Sequence, residues 1–471
     1  MVGFASPYPP YESRMTAPEI ASETSTAPAE TAKTSWRDGL AVYLQPRVLI
    51  VLFLGFSSGL PLALSGSTLL VWMREAGVDL GTIGLFALVG TPYTLKFLWA
   101  PLVDALHVPP FTQIFGRRRG WLLFSQLLLI ATILLLAIAD PAHSPALVAF
   151  AALLVATASS TQDIVVDAFR VESLPESEQA AGMASYVAAY RIGMLVSTAG
   201  ALFIVSGFEA TGLAPTAAWM WGYVVMAALV LTGTVTALLA TEPEQSERAD
   251  AATRTEAAFT RVLHAALGAF TEFLSRKDAI AALAFVVLFK FTDAFSGTMT
   301  APFVIDIGFS RNDYAAIVKG VGLAATLIGG FAGGFVARRY SLAASLLIGG
   351  ILQAVANLSF SWLALVGTNQ WALALAITAE NFTSAIGTVI FVAYLSALCQ
   401  NPLHTATQYA LLTALAAVGR TYLSSGAGFV AKAAGWPLFF VICVLVAVPS
   451  LVLLAWLDRR GHFEALGPVK V

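Results

Sequence analysis

The sequence predicts an all-α polytopic membrane protein with twelve transmembrane helices arranged as two six-helix bundles, and three observations carry that reading. Of 471 residues, 58% are hydrophobic and 11% charged, and the mean hydropathy of +0.78 lies far above that of a soluble globular domain. Apolar segments recur at about 20 residues, the length a helix needs to cross a hydrocarbon core. The ionisable residues inside those segments follow a pattern that repeats between the two halves of the chain. The net charge of -2 then says little about partners, because topology distributes the charge.

Residues 1–46 are rich in Pro, Ala, Ser, Thr and Glu and hold no apolar run, so they read as a disordered cytosolic tail and not as a signal peptide. The first bundle covers 47–240, with spans at 47–73, 82–106, 120–139, 145–173, 180–207 and 216–240. A polar connection follows at 241–277. In it Ala257, Phe259, Val262, Leu263, Leu267, Phe270 and Phe273, flanked by Arg261, Arg276 and Lys277, form an amphipathic helix suited to the inner leaflet. The second bundle covers 278–457, with spans at 278–306, 312–337, 341–365, 370–399, 405–431 and 436–457, and 458–471 is a cytosolic tail. Cys399 and Cys443 follow no metal or disulfide spacing and read as small core residues. The positive-inside rule places both termini and the connection in the cytoplasm, since only Arg74, Arg311 and Lys432 fall on the other side.

The stretch Ala156 to Glu176 carries charge into an apolar run. Asp163, Asp167 and Arg170 stand four and three residues apart, so they share one helix face. An ionised side chain at mid-membrane costs roughly 2.5 to 3.5 kcal/mol on a translocon scale, so this face looks into protein or water. Further charges are Lys96 in span 2, Arg191 in 5, Lys290 and Asp293 in 7, Lys319 in 8, Glu380 in 10 and Arg420 in 11. Spans 3, 6, 9 and 12 have none and are expected at the periphery, leaving the others around a polar interior. The segments YVAAYRIGMLVS (Tyr186 to Ser197) and LAAVGRTYLSS (Leu415 to Ser425) echo each other, as the paired bundles of the major facilitator arrangement would. Gly329, Gly330, Gly333 and Gly334 give span 8 small-xxx-small spacing for close packing. Asp104 followed by GRRRG (Gly116 to Gly120), with GGFVARRY (Gly333 to Tyr340) at the matching place, resembles the facilitator loop signature. The expected cytoplasmic gate is therefore Asp104, Arg117, Arg118, Arg119, Arg338 and Arg339, with Asp167 and Arg170 as a further gate pair.

A narrower resemblance follows. GFSSGLPLALSGSTLLVWM (Gly55 to Met73), TPYTLKFLWAPLVD (Thr91 to Asp104), TQDIVVDAFRVESLPESEQAAG (Thr161 to Gly182), FKFTDAF (Phe289 to Phe295), ILQAVAN (Ile351 to Asn357) and ATQYALLTALAAVGR (Ala406 to Arg420) resemble the AmpG muropeptide permeases over residues 45–457. That resemblance implies proton-driven import of N-acetylglucosaminyl-1,6-anhydro-N-acetylmuramyl peptides from periplasm to cytoplasm for cell-wall recycling. It also implies a multi-pass protein in the inner membrane of a Gram-negative bacterium. The expected partners are the anhydromuropeptide, protons and lipid around a monomer, with no cofactor, metal or nucleic acid. A facilitator for sugars, drugs or an acyl-CoA would serve the same charge layout. A membrane enzyme lacks support, for the sequence holds no HExxH, no P-loop and no large extramembrane domain.

A large, polar, anionic solute needs amides and hydroxyls, cations for its carboxylates and aromatic faces for its sugars. The expected substrate residues are Gln162, Arg191, Tyr93, Tyr190, Lys290, Asn381, Gln408 and Arg420, with Ser57, Ser58, Lys319 and Tyr422 nearby in pattern; Trp72 reads as an interfacial anchor. All five histidines fall near span ends or in loops, which leaves Asp163, Asp167, Asp293 and Glu380; Asp167, nearer the cytoplasmic end beside Arg170, belongs to the gate, and the other three are the carboxylates expected to carry a coupling proton.

Overall fold

The computed structural model describes residues 41–243, 274–399 and 405–466, and all regular structure among them is helical. Residues 1–40 of the expected tail, the amphipathic stretch at 257–273 and residues 467–471 lie outside the described residues. Ten described helices are long and apolar enough to cross a membrane. They are α1 (Pro46–Glu75), α3 (Arg117–Ile138), α4 (Pro145–Ser173), α5 (Ala181–Ala210), α6 (Pro215–Leu239), α7 (Ala279–Asp306), α8 (Arg311–Arg339), α9 (Leu342–Val366), α10 (Gln370–Leu398) and α12 (Trp436–Arg459).

The expected spans 82–106 and 405–431 differ, because neither is one continuous helix. The first, α2, is a series of short pieces, Leu80–Leu85, Phe86–Gly90, Thr91–Leu95, Lys96–Leu98 and Ala100–Ala105; the second, α11, runs Thr405–Tyr422, Leu423–Gly426 and Ala427–Ala434. Pro92 and Pro101 remove donors from α2, and glycines loosen both chains. The glycines also allow contact: a Cβ on Gly84 would stand 2.8 Å from the Gly428 backbone nitrogen, so α2 and α11 meet backbone to backbone.

Packing repeats along the chain. Helix α1 packs on α5 and α6, and α3 on α4 and α6; six helices later α7 packs on α11 and α12, and α9 on α10 and α12. The first half (to residue 243) meets the second (from residue 274) along α2 with α11, α5 with α8 and α1 with α7. Of the span 8 glycines, Gly329 and Gly333 face the α10 backbone at Phe382 and Ile386, whereas Gly330 and Gly334 face open space. Trp72 is not an interfacial anchor: it is 4% exposed and stacks on Trp219 at 5.5 Å. Ring stacking inside the first half holds it, where the sequence showed only a tryptophan near a span end. Cys443 is buried, and both cysteines are free.

Candidate functional site

A cavity of about 650 Å³ lies between the halves, lined by α1, α2, α5, α7, α8, α10 and α11. Helices α3, α6, α9 and α12 contribute nothing to it, as their lack of charge predicted. Helix α4 contributes nothing either, which corrects the expectation that its charged stretch forms a wall.

Six sequence-predicted residues come together on this surface: Tyr93, Arg191, Asp293, Glu380, Asn381 and Arg420, joined by Lys319. Asp293 accepts from Ser384 Oγ at 2.8 Å and from Gln353 Nε2 at 2.5 Å, with Lys290 Nζ at 3.7 Å. Lys290 and Asp293, three residues apart on α7, thus offset each other's charge. Glu380 accepts from Asn381 Nδ2 at 2.7 Å. Arg191, Lys319 and Arg420 have no carboxylate within ion-pairing distance among the described residues, although Lys319 lies over the Tyr314 ring at 5.4 Å. The cavity therefore presents three cations outside ion-pairing range against two carboxylates, Asp293 with its own lysine and Glu380 within electrostatic reach of Lys319. That balance favours an anionic occupant.

The other predicted residues sit elsewhere. Asp163 is 7% exposed and accepts from Ser58 Oγ behind α1, while Gln162 Nε2 donates to Ser57 Oγ at 3.5 Å. Tyr190, its ring tilted against that of Tyr186 at 5.9 Å, is not among the lining residues. Lys290 donates to Thr388 Oγ1 at 2.9 Å and covers the Phe391 ring. Gln408 is 2% exposed and lines a separate, apolar crevice of about 200 Å³ beside Thr94, Phe97 and Leu283.

The two ends of the molecule are held by different contacts. At the Arg-rich end, Arg118 donates to Glu172 at 2.5 and 2.9 Å, and Arg117 reaches the same carboxylate at 3.2 Å. Glu242 accepts the backbone amides of Arg118 and Arg119 at 2.8 and 2.9 Å, capping the positive start of α3. Arg119 donates to the carbonyls of Ala237 and Leu238. These contacts tie α3 to the ends of α4 and α6 within the first half. Asp167 and Arg170 stand 3.7 Å apart on α4, Arg339 lies over Tyr340, and the Asp104 side chain lies outside the described residues. Arg338 closes α8 in its last turn.

At the Arg-poor end, apart from the local His143–Asp140 pair, the described ion pairs cross between halves. Arg311 reaches Glu75 at 2.8 Å and Glu209 at 3.1 Å while lying over Trp219 at 5.3 Å. Arg74 pairs with Asp306, which also accepts from Trp436 Nε1 at 2.9 Å, and Lys432 pairs with Asp79 at 3.4 Å. A hydrogen bond from Thr82 holds the Asp79 carboxyl below the usual carboxylate range, so Asp79 stays charged near neutral pH. Sequence reading had counted Arg74, Arg311 and Lys432 for topology alone. Their only further signal was an acidic residue at the end of another span.

Residues 51–422 match the family model of the Major Facilitator Superfamily. The chain is 40% identical over 416 residues, covering 88% of itself and 80% of the relative, to the anhydromuropeptide permease of Escherichia coli strain K12. Its fold is similar to that of the nucleoside transporter NupG, at a TM-score of 0.68 and 13% identity over 90% of this chain and all 100% of the other. A D-xylose-proton symporter gives a TM-score of 0.62 at 12% identity, over 88% of this chain and 97% of that one.

Proposed function

The chain belongs to the AmpG-type muropeptide permeases of the major facilitator superfamily, and from that premise we propose that it imports anhydromuropeptides from periplasm to cytoplasm by proton-driven alternating access. It is a transporter and not an enzyme. The observation that carries the substrate reading is the trio Arg191, Lys319 and Arg420, outside ion-pairing range of any described carboxylate on the cavity wall where a peptide's carboxylates would sit. Tyr93, Asn381 and Ser384 add the aromatic face, amide and hydroxyl that sugars and peptide bonds need. A neutral sugar or apolar drug would leave that positive charge unanswered, which disfavours those cargoes; an anionic acyl-CoA would not, and there the likeness to the anhydromuropeptide permease decides.

In the proposed orientation the Arg-rich end is cytoplasmic, the Arg-poor end periplasmic, and each half carries six helical passes. Coupling falls to the carboxylates Asp163, Asp293 and Glu380, whose surroundings differ enough to divide the work. One inward proton is worth roughly 2.3 kcal/mol per 100 mV, or roughly fifty-fold accumulation of a neutral solute. An anionic cargo cancels part of that drive, so more than one proton accompanies it. Uptake of radiolabelled anhydromuropeptide into energised vesicles tests the reading: accumulation that collapses with an uncoupler is expected. Uptake of another solute with no uptake of anhydromuropeptide would overturn the substrate, and uncoupler-insensitive accumulation would overturn the coupling.

A further inference from the structure

Helices α2 and α11 come from different halves and touch along only part of their length. Towards the Arg-poor end their backbones meet at Gly84 and Gly428, and midway along α2 the hydroxyls of Thr94 and Thr421 stand 3.1 Å apart. The piece Thr405–Tyr422 of α11 packs on the pieces Phe86–Gly90 and Thr91–Leu95 of α2. From Thr94 towards the Arg-rich end the apolar crevice of about 200 Å³ separates them. Leu95 and Phe97 of α2 form one wall, Leu411, Leu412 and Leu415 of α11 face them, and Leu283 of α7 bounds a third side. The gap is a wedge between the halves, with its apex at the two threonines.

The polar residues on this wall are already engaged: Thr94 by Thr421, and the buried Gln408 by a partner of its own. The mouth is apolar on both sides. Phe97 is 51% exposed, Leu98 and Leu102 beside it on α2 are exposed, and Ile280, three residues ahead of Leu283 on α7, is 76% exposed. Large apolar side chains exposed along a membrane span face hydrocarbon. The charged level of the bilayer is close by, because α7 begins at Ala279, about 6 Å along the helix axis from Leu283, and the exposed Lys277 stands just ahead of it. An apolar cavity of about 150 Å³ stays dry and takes up apolar molecules. Left empty, it forfeits the dispersion contacts of the atoms that line it. The apolar molecule at this mouth is lipid.

We propose that the crevice is a lipid site: one acyl chain of a phospholipid, from the leaflet on the Arg-rich side, sits between α2 and α11 with its phosphate at Lys277. Fit holds the chain there, since leaving the bilayer for the crevice brings no hydrophobic gain, and the lysine selects the end by attracting the phosphate. The walls belong to both halves, so the chain is part of their interface. While it is seated, the courses of α2 and α11 below Thr94 cannot close on each other. The inference rests on the chain spanning a bilayer and on nothing about its cargo or its proton.

The test places the full chain in lipid nanodiscs that contain phosphatidylglycerol with a diazirine midway along one acyl chain, and maps the adducts by mass spectrometry after photolysis. Adducts are expected on both walls, at Phe97 and at Leu412, which is 3% exposed and within reach only from inside the crevice. Adducts confined to the outer residues Leu98, Leu102 and Ile280 would mean ordinary boundary lipid and overturn the site. Leu415→Trp fills the space and is expected to cut the Leu412 adducts about tenfold, with those at Leu445 and Val452, exposed on α12, unchanged. Undiminished Leu412 adducts overturn the site as well. Should Leu415→Trp fail to fold by size-exclusion chromatography, Ala414→Leu decides, with an expected loss of about three- to fivefold. Lys277→Gln is expected to lower the Leu412 adducts about two- to fivefold, and no change overturns the phosphate contact. Photolabelling needs neither substrate nor protons, so these outcomes are independent of the uptake experiment.

Discussion

Two carboxylates hold equivalent places in the two halves and differ in what surrounds them. Phe56 to Gly59 on α1 reads FSSG and Phe291 to Ala294 on α7 reads FTDA, while Gln126 on α3 matches Gln353 on α9. In the first half Ser58 of α1 donates to Asp163 of α4; in the second, Ser384 of α10 donates to Asp293 of α7. Serine and carboxylate have exchanged helices, and the clasp is kept. Asp293 lines the cavity with Lys290 at 3.7 Å and the Gln353 amide upon it, whereas Asp163 lies off the cavity with no cation in ion-pairing range. The groups facing Asp163 are Ser58 from α1, Tyr93 and Lys96 from α2, Tyr186 and Tyr190 from α5 and Asp167 on its own helix. Asp163 can lose its charge without breaking an ion pair, since Lys96 lies beyond ion-pairing distance among the described residues. Asp293 cannot, because Lys290 would lose its carboxylate partner. The difference directs the proposed coupling role to Asp163 and a binding role to Asp293.

The largest effect expected from this contrast is at Asp163. Asp163→Asn should reduce roughly fifty-fold accumulation per 100 mV to equilibration, while substrate exchange across unenergised membranes continues. Normal accumulation by this variant would break the contrast. Asp293→Asn should instead weaken substrate binding about tenfold, the worth of one charge-assisted bond of roughly 1.5 kcal/mol, with the driven ratio intact. Adding Lys290→Met should restore protein yield by removing the stranded cation. Arg191 and Arg420, one from each half, see similar surroundings, so Arg191→Ala and Arg420→Ala should each weaken binding by about ten- to a hundredfold, near 1.5 to 3 kcal/mol. A loss confined to one of them would show that the cargo lies against one half only.

What could be read in the sequence was what chemistry forbids in lipid. Charge inside an apolar run marked Asp163, Asp293, Glu380, Arg191 and Arg420, and charge-free segments marked α3, α6, α9 and α12. Which side of a helix faced the cavity was not legible: Asp163 and Glu380 are both mid-helix carboxylates, and only Glu380 reaches it. The broken courses of α2 and α11 were visible as glycine and proline but were read as spans by length. The contact of Arg311 with Glu75 was hidden because they are 236 residues apart, and a cation at a span end looks the same whether it meets water or a partner. Nor does local composition show a π-helical turn, since the small residues of Val196 to Gly200 (VSTAG) serve equally well in a regular helix packed against a neighbour.

The smallest effect isolates the scaffold of the clasp from its charge. Gln126 is fully buried beside Ser57 and Gly233, and neither of its amide atoms has a partner among the described residues, whereas its counterpart Gln353 donates to Asp293. Replacing a satisfied amide strands its partner at about 1 to 3 kcal/mol, while replacing an unsatisfied one by an apolar group of the same size is neutral or stabilising. Gln353→Leu should therefore lower the melting temperature in detergent, and Gln126→Leu should leave it unchanged or raise it. If both fall equally, an ordered water satisfies Gln126, and the first-half clasp is wet where the second is closed by protein. That outcome would sharpen the contrast, since water beside Ser57, Gln126 and Gln162 would give a proton a route towards Asp163 that Asp293 does not share.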